Sequence, residues 1–206
     1  MNYNKIAGQR LSRIEAISDG IFAIAMTLLV LDLKIPSKEI IQSEQDVLSF
    51  FLTYKLKFIS YFLGFITLGL FWVAQNTQLH FIKTSNRVYS WLNILFLSLI
   101  SLIPFTTGFL SEHFILKSSF LIYWINLLLP GICLHISFKY ACKNNLTRDE
   151  FLPNFQNIKI AYVNRIRNAQ LLYLFGSLLC FIDYRLSLGF IFLVQINFAV
   201  GYFQKK

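Results

Sequence analysis

Apolar residues run through this chain in long blocks that hold no charge, over 58–82, 88–111, 118–138, 168–182 and 186–204. A helix of about 20 residues crosses the ~30 Å hydrocarbon core of a bilayer. None of the blocks alternates apolar with polar at period two, as barrel strands do, so helices are the way this backbone satisfies itself in lipid. The pattern predicts six membrane helices at about 17–35, 54–79, 88–110, 117–141, 163–183 and 186–203. The polar linkers at about 36–53 and 142–161 are too short to fold alone. Residues 1–206 therefore read as one all-α, polytopic membrane domain. Pro104 and Pro130 fall inside the third and fourth helices and are expected to interrupt them.

The first helix breaks the pattern. In "RIEAISDGIFAIAMTLLVLDLKIP", residues 13–36, Asp19 and Asp32 leave only 20–31 between them, about 18 Å of helix. A carboxylate held centrally against lipid costs roughly 2.5–3.5 kcal/mol, and less towards the helix ends. This helix is therefore expected to be innermost, surrounded by protein or water, with the longer helices facing lipid. At about 100° per residue, Ile17, Gly20, Ile24, Thr27, Leu28, Leu31 and Ile35 share one stripe. Asp19 points roughly 140° away from it by the same period. The stripe admits two readings. It packs on another helix, or identical stripes from several subunits line a narrow pore that an apolar ring closes by dewetting.

Composition sharpens the class. The chain of 206 residues is 56% hydrophobic and 14% charged, where a soluble domain carries about 25% charge. A net charge of +9 would suggest nucleic acid in a soluble protein. Here topology accounts for it. With the N-terminus inside, only Lys34, Lys38, Lys55, Lys57, Lys117 and Arg185 of the 19 basic residues fall on outer segments. The positive-inside rule then puts both termini in the cytoplasm, with the lipid bilayer as partner and no nucleic acid. The first apolar run is too charged for a cleaved signal peptide.

Candidate chemistry is sparse. Cys133, Cys142 and Cys180 lack CxxC spacing, and His80, His113 and His135 are scattered singly, so neither metal nor cofactor is expected. No HExxH or GxSxG occurs, and an enzyme is not expected. Trp72, Trp91 and Trp124 read as interface anchors or packing. A secondary transporter of a small ion or solute is the alternative to a channel, and the missing inverted repeat counts against it.

The segment 13–36 resembles the signature of bacterial members of the transmembrane protein 175 family, potassium channels related to an endolysosomal channel. The family motif is Arg, three residues, then Phe-Ser-Asp. Arg13, Ser18 and Asp19 match it, and Ile17 stands in place of Phe. "FWVAQNTQLHF" resembles the end of the family's second helix and "WLNILFLSLISLIPF" its third, so the likeness spans about residues 10–110. It implies six helices, a homotetramer with helix one around the axis, and a potassium-permeable channel of the bacterial inner membrane. It implies no carbonyl filter, and this chain has no TVGYG loop; "VGYF" at 200–203 lacks a preceding pore helix. The family's narrowest point falls on Ile24, with Leu28 and Leu31 following by periodicity and the Thr27 hydroxyl serving selectivity. Arg13, Ser18 and Asp19 belong to a polar network that in the family includes a His three residues after the helix-two Trp. This chain has Gln75 there, so amides of Gln75, Asn76 and Asn93 are expected to stand in, and pH sensing at that position is not expected.

Overall fold

The computed structural model describes residues 10–37, 39–148 and 155–204, and within them the long elements are helices. Helix α1 spans Leu11–Leu28 and tightens into a 3-10 turn over Leu29–Asp32. Helix α2 is short, Glu44–Thr53, and α3 runs Lys55–His80. Helices α4 (Arg87–Ile100) and α5 (Ile103–Glu112) make one stretch with a break between them. Helix α6 covers Lys117–Lys143. Helix α7 covers Phe155–Leu178 with a 3-10 turn at Leu179–Phe181, and α8 covers Tyr184–Gln204.

Among the described residues, five stretches are long and apolar enough to cross a membrane: Leu11–Asp32, Lys55–His80, Arg87–Glu112, Lys117–Lys143 and Tyr184–Gly201. The expected span at 163–183 lies within α7 and its 3-10 turn, which is not one of the five. Lys159, Arg165 and Arg167 sit in its first half and dilute its apolar character.

Local chemistry explains the ends and breaks. The linker at 36–53, expected as plain loop, holds α2 because Ser43 and Asp46 form a capping box. The Ser43 hydroxyl accepts from the Asp46 N–H, and the Asp46 carboxylate accepts from the Ser43 N–H at 2.9 Å, so two orphan donors are satisfied. The Asn86 side chain caps α4 by accepting from Tyr89 N–H at 2.9 Å. Pro104 sits in the first turn of α5, where a missing N–H costs nothing, and the break expected near it is present. The break expected at Pro130 is absent: α6 runs through it. Next to that proline Gln170 of α7 donates to the Leu127 carbonyl at 3.0 Å, in a space that a side chain at position 131 would fill. The carbonyl that Pro130 cannot serve is that of Asn126, so the Gln170 amide adds a bond to the next carbonyl along and does not replace the missing one.

The core is three buried clusters. One gathers Ile14, Leu79, Ile82, Tyr89 and Ala141 where α1 begins and α3 ends. A second joins Phe22, Leu68, Phe96, Ile100 and Leu134 across α1, α3, α4 and α6. The third joins Leu63, Tyr123, Tyr173 and Ile191 of α3, α6, α7 and α8. Helix α6 is the middle of the chain, burying Phe120, Tyr123, Leu127, Leu134 and Phe138 among others, whereas α1 buries only Ile14, Ser18, Phe22 and Ala25. Within a single chain, then, α1 stands at the side rather than innermost. Its neighbours α3, α4 and α5 cover one face and leave the other open.

Candidate functional site

Two faces of α1 do different work. The covered face carries Ile14, Ser18, Phe22, Ala25 and Leu29, spaced three and four apart, so it stays against the bundle along its length. Gly64 of α3 lets Leu29 approach, since a Cβ there would lie 2.9 Å from the leucine's methyl. The open face carries the stripe: Ile24 is 61% exposed and Leu31 71%, and Ile17, Gly20, Thr27 and Leu28 are exposed beside them. The described residues leave this stripe largely uncovered.

An open apolar face alone marks nothing in a membrane protein. Helix α6 shows one too, through Ile122, Ile125, Leu129, Ile132 and Ile136. The difference lies in charge. Residues 118–138 can lie against lipid without moving any charge, whereas 20–31 cannot span the hydrocarbon without drawing Asp19 and Asp32 towards it.

The 3-10 turn changes the register of the stripe. Side chains three apart eclipse in that geometry, so Leu31 stacks over Leu28 instead of drifting round the helix. The helix ends at Leu33, with φ −84° and ψ 87°, so Ile35 is off it and the expected stripe stops one member short. The Thr27 hydroxyl donates to the Ile24 carbonyl at 2.8 Å, which leaves its lone pairs to the open side. At Gly20 nothing lies within 4 Å of where a side chain would begin.

The network behind α1 is a chain of amides. Ser18 donates to the Gln75 carbonyl oxygen, Gln75 donates to Asn93 at 3.2 Å, and Asn93 donates to the Tyr89 carbonyl at 2.9 Å. All three side chains are buried, so α1, α3 and α4 are held in one rotation by bonds that cannot be exchanged for water. Asn76 stays outside this chain. Asp19 points the other way and accepts from the Trp72 indole N–H at 2.9 Å. Arg13 is exposed, lies outside the network and makes no bond to Asp19. Of the five residues expected together, Ser18, Gln75 and Asn93 are joined, Asp19 is held separately and Arg13 is not brought in.

Two features escape a reading of the sequence. Trp72 is a donor to Asp19 rather than only an anchor, and Asp32 at the far end of α1 accepts from the Ser111 hydroxyl at 3.1 Å beside Gly108. The charge at 32 is a visible signal; its partner is not. Lys57 and Glu112 pair nearby across α3 and α5. Among the described residues no group of three or more His, Cys, Asp or Glu converges as a metal site.

Comparison with known proteins gives a consistent result. The family described as "Endosomal/lysosomal potassium channel TMEM175" matches residues 13–104, which hold the stripe and the amide chain. A potassium channel of Chamaesiphon minutus is 30% identical over 192 residues, covering 91% of this chain and 93% of that protein. The endosomal/lysosomal proton channel TMEM175 of Gallus gallus is 31% identical over 105 residues, 48% of this chain and 21% of that protein. The crystal structure of a lysosomal potassium-selective channel TMEM175 homolog from Chamaesiphon minutus is similar at a TM-score of 0.77 and 28% identity, over 92% of this chain and 96% of that one.

Proposed function

Because the chain belongs to the TMEM175 family of ion channels, we propose that it is a potassium-permeable channel in which helix α1 of each of four copies lines a central pore. The observation that carries this reading is the open stripe on α1, short between its two aspartates and left uncovered by the rest of the chain. Four such stripes around an axis cover one another and draw α1 away from lipid, which lowers the cost of its two carboxylates.

In that arrangement Ile24, Leu28 and Leu31 form stacked apolar rings. A hydrated cation cannot trade its water for a methyl group, so a ring that excludes water stops conduction without a plug. Widening the ring admits water and ions together. The uncrowded Gly20 is the place where α1 tilts with least resistance. Thr27 hydroxyls supply the oxygens that a passing ion meets between the rings, so discrimination among monovalent cations is modest. Potassium is the permeant ion and not a resident cofactor. The excess of basic residues on alternate loops supports both termini in the cytoplasm of a bacterial cell, with the channel in its inner membrane.

Potassium flux through purified protein in liposomes tests the reading. A passive flux that follows the applied voltage and needs no second solute is the expected result. Flux that appears only with a coupled solute would make the protein a transporter, and proton flux without potassium flux would overturn the assignment of the ion.

A further inference from the structure

Behind the Asp32 end of the stripe lies a cavity of about 380 Å³, between the 3-10 turn of α1, the first turns of α3 and helix α5. Leu28 and Leu31 form one wall, so whatever fills it touches the back of the segment that carries two of the three apolar rings. Tyr61, Phe105 and Phe109 also line it. Ser60 and Thr107 line it as well; each is 2% exposed, and each carries a buried hydroxyl without a hydrogen-bond partner that a turn about χ1 could bring to the cavity. Buried unpaired hydroxyls are costly and are commonly a place where something binds.

Charge narrows what that something is. Two carboxylates and one ammonium line the cavity, Asp32, Glu112 and Lys57. Glu112 pairs with Lys57, whose ammonium also feels Asp32, and Lys34 lies within electrostatic reach of Glu112; Asp32 is the carboxylate that makes no direct ion pair, and His113 also lines the cavity. One Asp32 oxygen accepts from Ser111 and the other is without a hydrogen bond.

We propose that this cavity binds a small organic cation, a single ammonium on an apolar body, and that its occupancy holds α1 in the closed position. An alkylammonium has three N–H donors. Asp32, Ser60 and Thr107 are the three acceptors to meet them, and the aromatic and aliphatic walls take its carbon. The volume is within the range of about 300–1,000 Å³ in which small-molecule sites fall. A ligand wedged between the 3-10 turn and helices α3 and α5 braces Leu28 and Leu31 from behind, so it closes the channel without entering the pore.

The binding step stands by itself, and its effect on flux rests on α1 lining the pore. Hexylammonium is the probe, with hexanol as its uncharged counterpart, added to the full-length protein in detergent while the thermal midpoint is followed. Hexylammonium is expected to raise the midpoint in a saturable way and hexanol is not. Asp32→Asn should weaken the apparent affinity about tenfold through loss of a charge-assisted bond. Ser60→Ala and Thr107→Val should weaken it several-fold, and Thr107→Ser should retain it. Equal effects of both probes, no effect of either, or affinity unchanged in Ser60→Ala and Thr107→Val would mean that the cavity holds water only. In liposomes, saturating hexylammonium should slow potassium flux equally at all voltages in the wild type and not in Asp32→Asn. Binding without slowed flux would overturn the coupling to α1, and voltage-dependent block would place the probe in the pore instead. A wild type without potassium flux refutes the channel reading, while the binding curves still decide the site.

Discussion

Ser18 carries a demand out of proportion to its size. Its hydroxyl is the donor that satisfies Gln75, which in turn satisfies Asn93, all of it away from water. Ser18→Ala leaves the Gln75 oxygen buried and unpaired, at a cost of about 1–3 kcal/mol. A lowered thermal midpoint and loosened α1 are the expected outcome, and an unchanged midpoint would show that Gln75 finds another donor. Ile24 works in the opposite way, through what it refuses to bond. Ile24→Asn should wet the apolar ring and raise resting cation current in reconstituted protein, with poorer discrimination between ions. Phe22→Leu, on the covered face, should change the current much less. Normal assembly with wild-type conduction in Ile24→Asn would put the constriction elsewhere. At this scale the sequence was readable where the chemistry is inherent in the side chain. Of the amides expected to stand in for the family's histidine, Gln75 and Asn93 are joined and Asn76 is not. Trp72 was read as an interface anchor, because an indole at a membrane surface and an indole bonded to Asp19 look the same until α1 and α3 are rotated into place.

Among the elements, the long helices were the legible part, since a run without charge has only one stable form in lipid. What escaped was whatever depends on a single bond or on a neighbour. The four letters Ser43-Glu44-Gln45-Asp46 contain the capping box of α2, yet the segment is short enough that its helix needed the cap to be noticed. That cap is sensitive to pH. Its bond from the Ser43 hydroxyl, foremost, and those from the Gln42 and Ser43 amides hold the Asp46 carboxyl below its ordinary value. A depressed value means that the carboxylate form supports the helix above the usual carboxylate range and that this support is lost as pH falls through the lowered value. Amide exchange over Glu44–Val47 should therefore quicken in acid, and Asp46→Ala should show the fast exchange already at neutral pH. Exchange that ignores both would mean that the membrane surface, and not the cap, orders α2. Pro130 was misjudged for a related reason. A proline reads as a break, but α6 continues through this one, with the Gln170 amide of a different helix packed on the carbonyl of Leu127 beside it.

For the molecule as a whole, one chain leaves its least lipid-compatible helix open on one face. Its most buried helix is α6, while the helix least suited to lipid stands at the edge with its stripe uncovered. Mass measurement of the detergent-solubilised particle should give four copies, and a strict monomer that still passes potassium would refute the shared pore. The family and the helical membrane class were legible from residues 13–36 and the charge-free runs, and the comparisons agree with both. The position of α1 within a single chain was not, because the cost of its aspartates can be relieved by other copies as well as by its own chain. The 3-10 turn gives such an assembly a way to move that needs no hinge. Relaxing Leu29–Asp32 to α-helical winding would turn Leu31 by roughly 60° relative to Leu28 and shorten the segment by about 1.5 Å. Repeated around an axis, that is the action of an iris: each blade unscrews a little, and the leucines leave the aperture sideways.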